Sequence, residues 1–120
     1  MEFEVKELVK IDNGAHTGVI VEVEYRTDPY KYTDAWIEFE EGKRVKYGVP
    51  TPTELTVRNK LGRLLKFFGA DMTPGKLHDP EKVLVGKKCI FMTMNEEKDG
   101  TEYARIVDGS LKPINDDVER

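Results

Sequence analysis

Residues 34–50 read DAWIEFEEGKRVKYGVP, and the alternation of their side chains decides how the chain folds. Ala35, Ile37 and Phe39 fall at every second position before a short glycine-containing break, and Val45, Tyr47 and Val49 do the same after it. Successive strand residues point to opposite faces, so the pattern predicts strands over 35–40 and 44–49 joined by Glu41-Gly42-Lys43 into a hairpin, with these apolar residues on the core face. Trp36, Glu38 and Glu40 then share the other face with Arg44, Lys46 and Gly48. The only tryptophan of the chain is turned away from the core beside two cations, which asks what an outward indole is for.

Working outward, TGVIVEVEY at 17–25 alternates as well, with Thr17, Val19, Val21, Val23 and Tyr25 on one side and Ile20, Glu22 and Glu24 on the other, a half-buried strand. Gly18 near its start suits a bulge or a sharp bend where a sheet curls. RTDPYKYTD reads as the loop between the first two strands. After the hairpin, TPTE at 51–54 fits a helix start, with Thr51 as N-cap, Pro52 at the first helical position and Glu54 closing a capping box. Val57, Leu61, Leu64, Leu65 and Phe68 form its apolar stripe, Arg58, Lys60, Arg63 and Lys66 its wet surface, and Gly69 its end. Gly62 inside the helix points to close packing. A connecting segment rich in proline and glycine leads to two more strands over 87–95 and 102–111, joined by the turn EEKDG.

With 120 residues there is room for one core, so residues 1–113 are taken as a single domain and 114–120 as a short acidic tail. The order strand, strand, strand, helix, strand, strand makes the fold mainly β with one α-helix. It is the order of the OB-fold, a five-stranded Greek-key barrel whose helix lies between strands 3 and 4 and which binds oligonucleotides across strands 2 and 3 and the loops L12 and L45. A small open α+β sheet with the helix across one face is the second architecture this order allows.

The net charge of −4 argues against a nucleic-acid partner until its distribution is read. Residues 1–41 carry four basic and eleven acidic side chains, residues 42–90 eleven basic and four acidic, and residues 91–120 four basic and eight acidic. A local field rather than the total decides which anions are attracted, and the middle of the chain is a cationic block. An ordinary solvated face is the plain alternative. No apolar run reaches the roughly 20 residues of a membrane helix, and the start lacks a signal-peptide pattern, so a cytoplasmic protein is expected. The single Cys89 excludes an internal disulfide and reads as a small core residue.

Catalytic parts are sparse: one serine (Ser110), one cysteine and two histidines, His16 and His78, both in loop-like contexts. Neither a nucleophile–base pair nor a set of zinc ligands can be assembled from them, and no phosphate-binding glycine loop is present. The expectation is a protein that is not an enzyme and carries no metal or cofactor. A metal-dependent nuclease is the remaining enzymatic alternative, since carboxylates are plentiful.

Single-stranded nucleic acid is held by cations that track phosphates and by rings on which bases stack, each stack worth about 1–3 kcal/mol. Trp36, Arg44 and Lys46 occupy the outer face of strands 2 and 3, Tyr30 and Tyr32 the L12 position and Lys98 the L45 position, while Tyr103 and Arg105 share a face of the last strand. These are the candidate binding residues. Tyr47 and Phe39 read as core, Tyr25 as completing the core at a strand end and Tyr103, in its plain alternative, as a cap on the barrel; alternation leaves the face of Met92 and Met94 open, with core filler the default. Trp36 has two competing explanations: cover by the amino-terminal segment MEFEVKELV, or a protein interface.

HTGVIVEVEY at 16–25, AWIEFEEGKRVKYGV at 35–49, the helix ending FFGAD, and LVGKKCIFMTMNEEKDGTEYARIVDGSLKP at 84–113 together resemble small OB-fold proteins of phage and prophage replication or recombination modules that bind single-stranded DNA. The likeness covers residues 14–113 and is greatest in Leu84, Gly86, Lys87, Gly100, Tyr103 and Pro113. It implies binding of single-stranded DNA in preference to RNA, with replication or recombination proteins as further partners; stacking and phosphate contacts make that binding sequence-independent, and the strand edges of an incomplete barrel leave room for a homodimer. Bacterial-type relatives end in a long acidic tail with a terminal aromatic, whereas INDDVER is short and ends in Arg120, which argues against recruitment by that route. The competing class is an OB-like protein–protein interaction module using the acidic amino-terminal third.

Overall fold

β1 (Gly14–Arg26) is the central strand, and the other elements are placed by what pairs to either side of it. The structure, a computed structural model, describes Glu2 and residues 13–114. β2 (Tyr32–Phe39) and β3 (Lys43–Pro50) follow on one side of β1, and β4 (Lys88–Lys98) and β5 (Thr101–Ile106) on the other. This gives the order β3-β2-β1-β4-β5, antiparallel throughout, with β6 (Lys112–Pro113) pairing with the start of β4. The sheet is open, yet it curls so far that its end strands β3 and β5 approach each other; no ladder joins them among the described residues.

The bend is built into β1. Ile20 pairs with Ile37 and Glu22 with Trp36, so Val21 is an extra residue, a bulge. A bulge reverses the parity of everything after it. Before it Ile20 faces the core and Val19 does not; after it Val23 faces the core and Glu22 and Glu24 do not. The single face expected for Thr17, Val19, Val21, Val23 and Tyr25 is therefore broken, and Tyr25 is 55% exposed rather than a core cap. Gly18 is not the bulge. It sits between Phe39 on β2 and Cys89 on β4, and a Cβ there would lie 2.7 Å from the Glu38 carbonyl oxygen and 2.8 Å from Ile37 Cγ2.

The β2–β3 hairpin has the expected faces: Ala35, Ile37, Phe39, Val45 and Val49 are buried, while Trp36 lies opposite Lys46 and Glu38 opposite Arg44 on the other side. Its turn is Glu40-Glu41-Gly42, all at positive φ, with glycine in the last place at +81°.

The helix differs from the sequence expectation. Residues 51–59 are irregular, and α1 (Lys60–Phe67) starts at Asn59, whose side chain accepts from the Gly62 amide at 2.8 Å. The Thr51 capping pattern fails because Thr51 serves the sheet instead: its amide donates to the Lys31 carbonyl and its hydroxyl bonds Thr33. Val57 falls outside the helix and is exposed, while Leu61, Leu64, Leu65 and Phe68 form the buried stripe. Gly62 is close-packed as expected, since a Cβ there would meet the Thr56 carbonyl oxygen at 1.7 Å. A second short helix, α2 (Pro80–Leu84), is capped by Asp79 within the connecting segment.

The last strand is also shorter than expected. Asp108-Gly109-Ser110 breaks it after Ile106, with Gly109 at φ +82° and the Ser110 amide returning to the Val107 carbonyl, as turn residues of that kind do. Asn115–Arg120, most of the expected tail, lie outside the described residues.

Ile20, Ile37, Phe39, Leu65, Leu84, Cys89 and Phe91 are buried at the centre of the molecule. Burial pushes the Cys89 thiol up to about 11, which keeps it protonated and unreactive. His16 belongs to β1 rather than to a loop; it is buried against Phe39 and Phe91 and bonds Thr93 at 3.0 Å and Glu40 at 3.2 Å. Met92 and Met94 face outward, half exposed, instead of filling the core.

Phe39 packs edge-on against Phe91 at 5.3 Å between ring centres, so Phe39→Ala is expected to cost about 3–5 kcal/mol in chemical denaturation. Trp36→Ala is expected to cost far less, and equal losses for the two would place the indole in the core.

Candidate nucleic-acid interface

Where β3 and β5 draw together, their side chains frame a cleft of about 220 Å³. Arg26 enters from the end of β1, Tyr32 from the start of β2, Lys46, Tyr47 and Gly48 from β3, Arg105 and Ile106 from β5, and Asp108 from the turn beyond it. The lining carries three cations against one carboxylate. Beyond the cleft on this face, Arg44 bridges Glu38 at 3.5 Å and Glu22 at 3.6 Å.

The Arg26 end is fixed from beneath. Asp34, 1% exposed, receives two hydrogen bonds from the Arg26 guanidinium, one of them from Nη2 at 3.0 Å. A buried carboxylate is tolerated because the fork meets both of its oxygens. The hydrogen bond to Asp34 raises the already high Arg26 pKa further, so this cation is permanent. It lies 4.9 Å from the Tyr32 ring centre, stacked on the ring face. Gly48 stands opposite Asp34 in the ladder and makes this seat possible, since a Cβ there would come within 2.5 Å of Asp34 Oδ1.

Lys46 crosses to its neighbour on β2, placing its ammonium 5.8 Å from the Trp36 ring centre, and the indole N–H donates to Glu24. The outward tryptophan is thus half-buried under a lysine stem and anchored at its edge. The alternative cover, MEFEVKELV, lies outside the described residues apart from Glu2. Arg105 faces Met94 and pairs with Glu96 at 2.8 Å. Both members of that pair are half exposed, and such pairs are worth at most about 1 kcal/mol, so a phosphate can recruit the guanidinium cheaply. On the floor, burial and then the neighbouring Asp108 carboxylate raise the Tyr47 pKa, with Arg63 opposing them.

Tyr32, Lys46 and Arg105 are thereby brought together, with Trp36 joined through Lys46. Arg44 does not line the cleft, and Tyr30 is an exposed loop residue. Tyr103 shares the outer face with Arg105 but lies two residues nearer the hairpin tip, where Lys98 ends β4. Arg26, Tyr47 and Asp108 are the participants that sequence reasoning missed. Extending the first strand's alternation by one residue finds Arg26 on the Glu22–Glu24 side, and the Asp-Gly-Ser triplet marks the turn that carries Asp108.

Away from the cleft, the outer face of β4 exposes Ile90, Met92 and Met94 in a row, with Tyr103 beside them. No helix is long and apolar enough to cross a membrane, and among the described residues no group of three or more histidines, cysteines or carboxylates is gathered to hold a metal. No family model matches the chain, and no curated protein matches it.

Gly48→Ala should displace Asp34 and with it Arg26, at a cost of about 1–3 kcal/mol in urea denaturation. A loss below about 0.5 kcal/mol would mean that the Asp34 seat is not tight.

Proposed function

We propose that the chain binds single-stranded nucleic acid, DNA in preference to RNA, in the cleft between β3 and β5, and that the sheet is an OB-type barrel left open at that seam. The observation that carries the reading is the convergence of Arg26, Lys46 and Arg105 from separate strands on a cleft walled by Tyr32 and Tyr47. The approach of β3 to β5 supports the barrel assignment, because closure of an OB-fold brings these same two strands together.

In this account a phosphate takes Arg105 from Glu96 and a second meets Arg26, while Lys46 leaves the indole face for the backbone and a base stacks on Trp36 or Tyr32. Each element is indifferent to base identity, so binding is sequence-independent and weakens steeply with salt through counterion release. The protein acts by occupancy, with no chemical step, in replication or recombination in the cytoplasm; Arg44, Tyr30, Tyr103 and Lys98 extend the contact surface. One observation favours a second reading. The exposed row Ile90, Met92 and Met94 suits an adaptable protein contact, either a second copy or a replication partner.

Affinity for oligothymidine measured over a range of salt tests the reading. Each phosphate contact on a single strand contributes about 0.7 to the slope of log K against log salt, so Lys46→Ala and Arg105→Ala should each flatten it by about that much. Unchanged slopes in folded variants would remove the cleft from the binding path. No retention on a nucleic-acid column at low salt would favour the protein-contact reading.

A further inference from the structure

The cleft does not end at Tyr47 and Asp108. The same two residues line a second depression of about 150 Å³, which α1 walls with Lys60, Arg63 and Phe67. Phe67 is 52% exposed although it is among the most apolar side chains of the helix, and it stands on the surface with the two cations rather than in the apolar stripe. Nothing in the packing of α1 needs it there: Leu61, Leu64, Leu65 and Phe68 already supply the buried face. An exposed ring flanked by two cations is the combination that holds a nucleotide.

Asp108 lies between the two depressions. Its carboxylate accepts from Lys60 Nζ at 3.5 Å, it shares both linings with Tyr47, and it is 61% exposed on a turn. An anion held by a lysine at the junction of two cationic sites occupies a place suited to a phosphate oxygen.

We infer that α1 carries a second nucleotide subsite, in which Phe67 stacks a base and Lys60 and Arg63 hold the backbone, and that Asp108 is an anionic plug which the phosphate linking the two subsites displaces. The inference rests on the reading of the β3–β5 cleft as a single-strand site and extends the path of the strand across the turn onto the helix. It fixes a direction for the strand, from the Arg26 end of the seam to α1, and makes the occupied length longer than the sheet alone allows.

The test compares two oligothymidines, of about four and about twelve nucleotides, within the range that one OB-type domain covers. Phe67→Ala should weaken the longer about tenfold, the equivalent of one lost stack, and leave the shorter within about twofold. Asp108→Asn, which keeps the hydrogen bonds of an exposed turn residue and removes its charge, should tighten the longer several-fold and flatten no salt slope. Phe67→Ala lowering both lengths equally, or neither, or Asp108→Asn weakening the longer, would overturn the α1 subsite. Failure of both oligonucleotides to bind the unaltered protein would instead overturn the reading of the cleft itself. Binding of the shorter that Arg105→Ala abolishes, with Phe67→Ala silent on the longer, would remove the α1 extension alone.

Discussion

The structure hangs on the bend in β1. That strand pairs with β4 over Gly14–Val19 and with β2 over Gly18–Arg26, so only Gly18 and Val19 are held in ladders on both sides. The extra residue Val21 follows at once and turns the rest of the strand away. One half of the sheet is thereby rotated against the other until β3 faces β5. Neither the core nor the cleft would exist on a flat sheet: Ile20 and Val23 face inward together only because the bulge reverses the parity between them, and Arg26 arrives at the seam only because the strand continues past it.

Charge is organised on the same principle. The cationic middle of the chain is not a uniform patch, because the ladder sets Arg44 against Glu22 and Glu38 of the acidic first third. At the open seam Arg26 and Arg105 keep carboxylate partners of their own, Asp34 and Glu96, and Lys46 lies over the Trp36 ring. An open edge usually invites another strand. Here the gap between the edges is lined with long cationic side chains and two tyrosines, which disfavours a further strand and suits a flexible polyanion.

The sequence was legible where a single period governed. Alternation in 34–50 placed Ala35, Ile37, Phe39, Val45 and Val49 inward and Trp36 outward, because that hairpin has no irregularity. It failed wherever one residue changed the count or where a side chain had a competing partner. Val21 reversed the first strand unseen, since a bulge between apolar residues leaves no mark in composition. Thr51 looked like a cap, but its hydroxyl is taken by Thr33, a contact between residues 18 apart in the chain. The site was half legible for the same reason: the types and faces of Tyr32, Lys46 and Arg105 could be read locally, whereas their convergence across the seam, and the part played by Asp108, depend on how far the sheet curls.

The tryptophan that opened the question also provides the most direct measurement. Its ring lies under Lys46 at the edge of the cleft, so a strand that takes the lysine or stacks on the indole must change its emission. Titrating the protein with oligothymidine while following Trp36 fluorescence, at low and at moderate salt, should give saturable quenching whose midpoint moves to higher concentration as salt rises. Emission that stays constant while no shift in electrophoretic mobility occurs at either salt would contradict nucleic-acid binding at the seam.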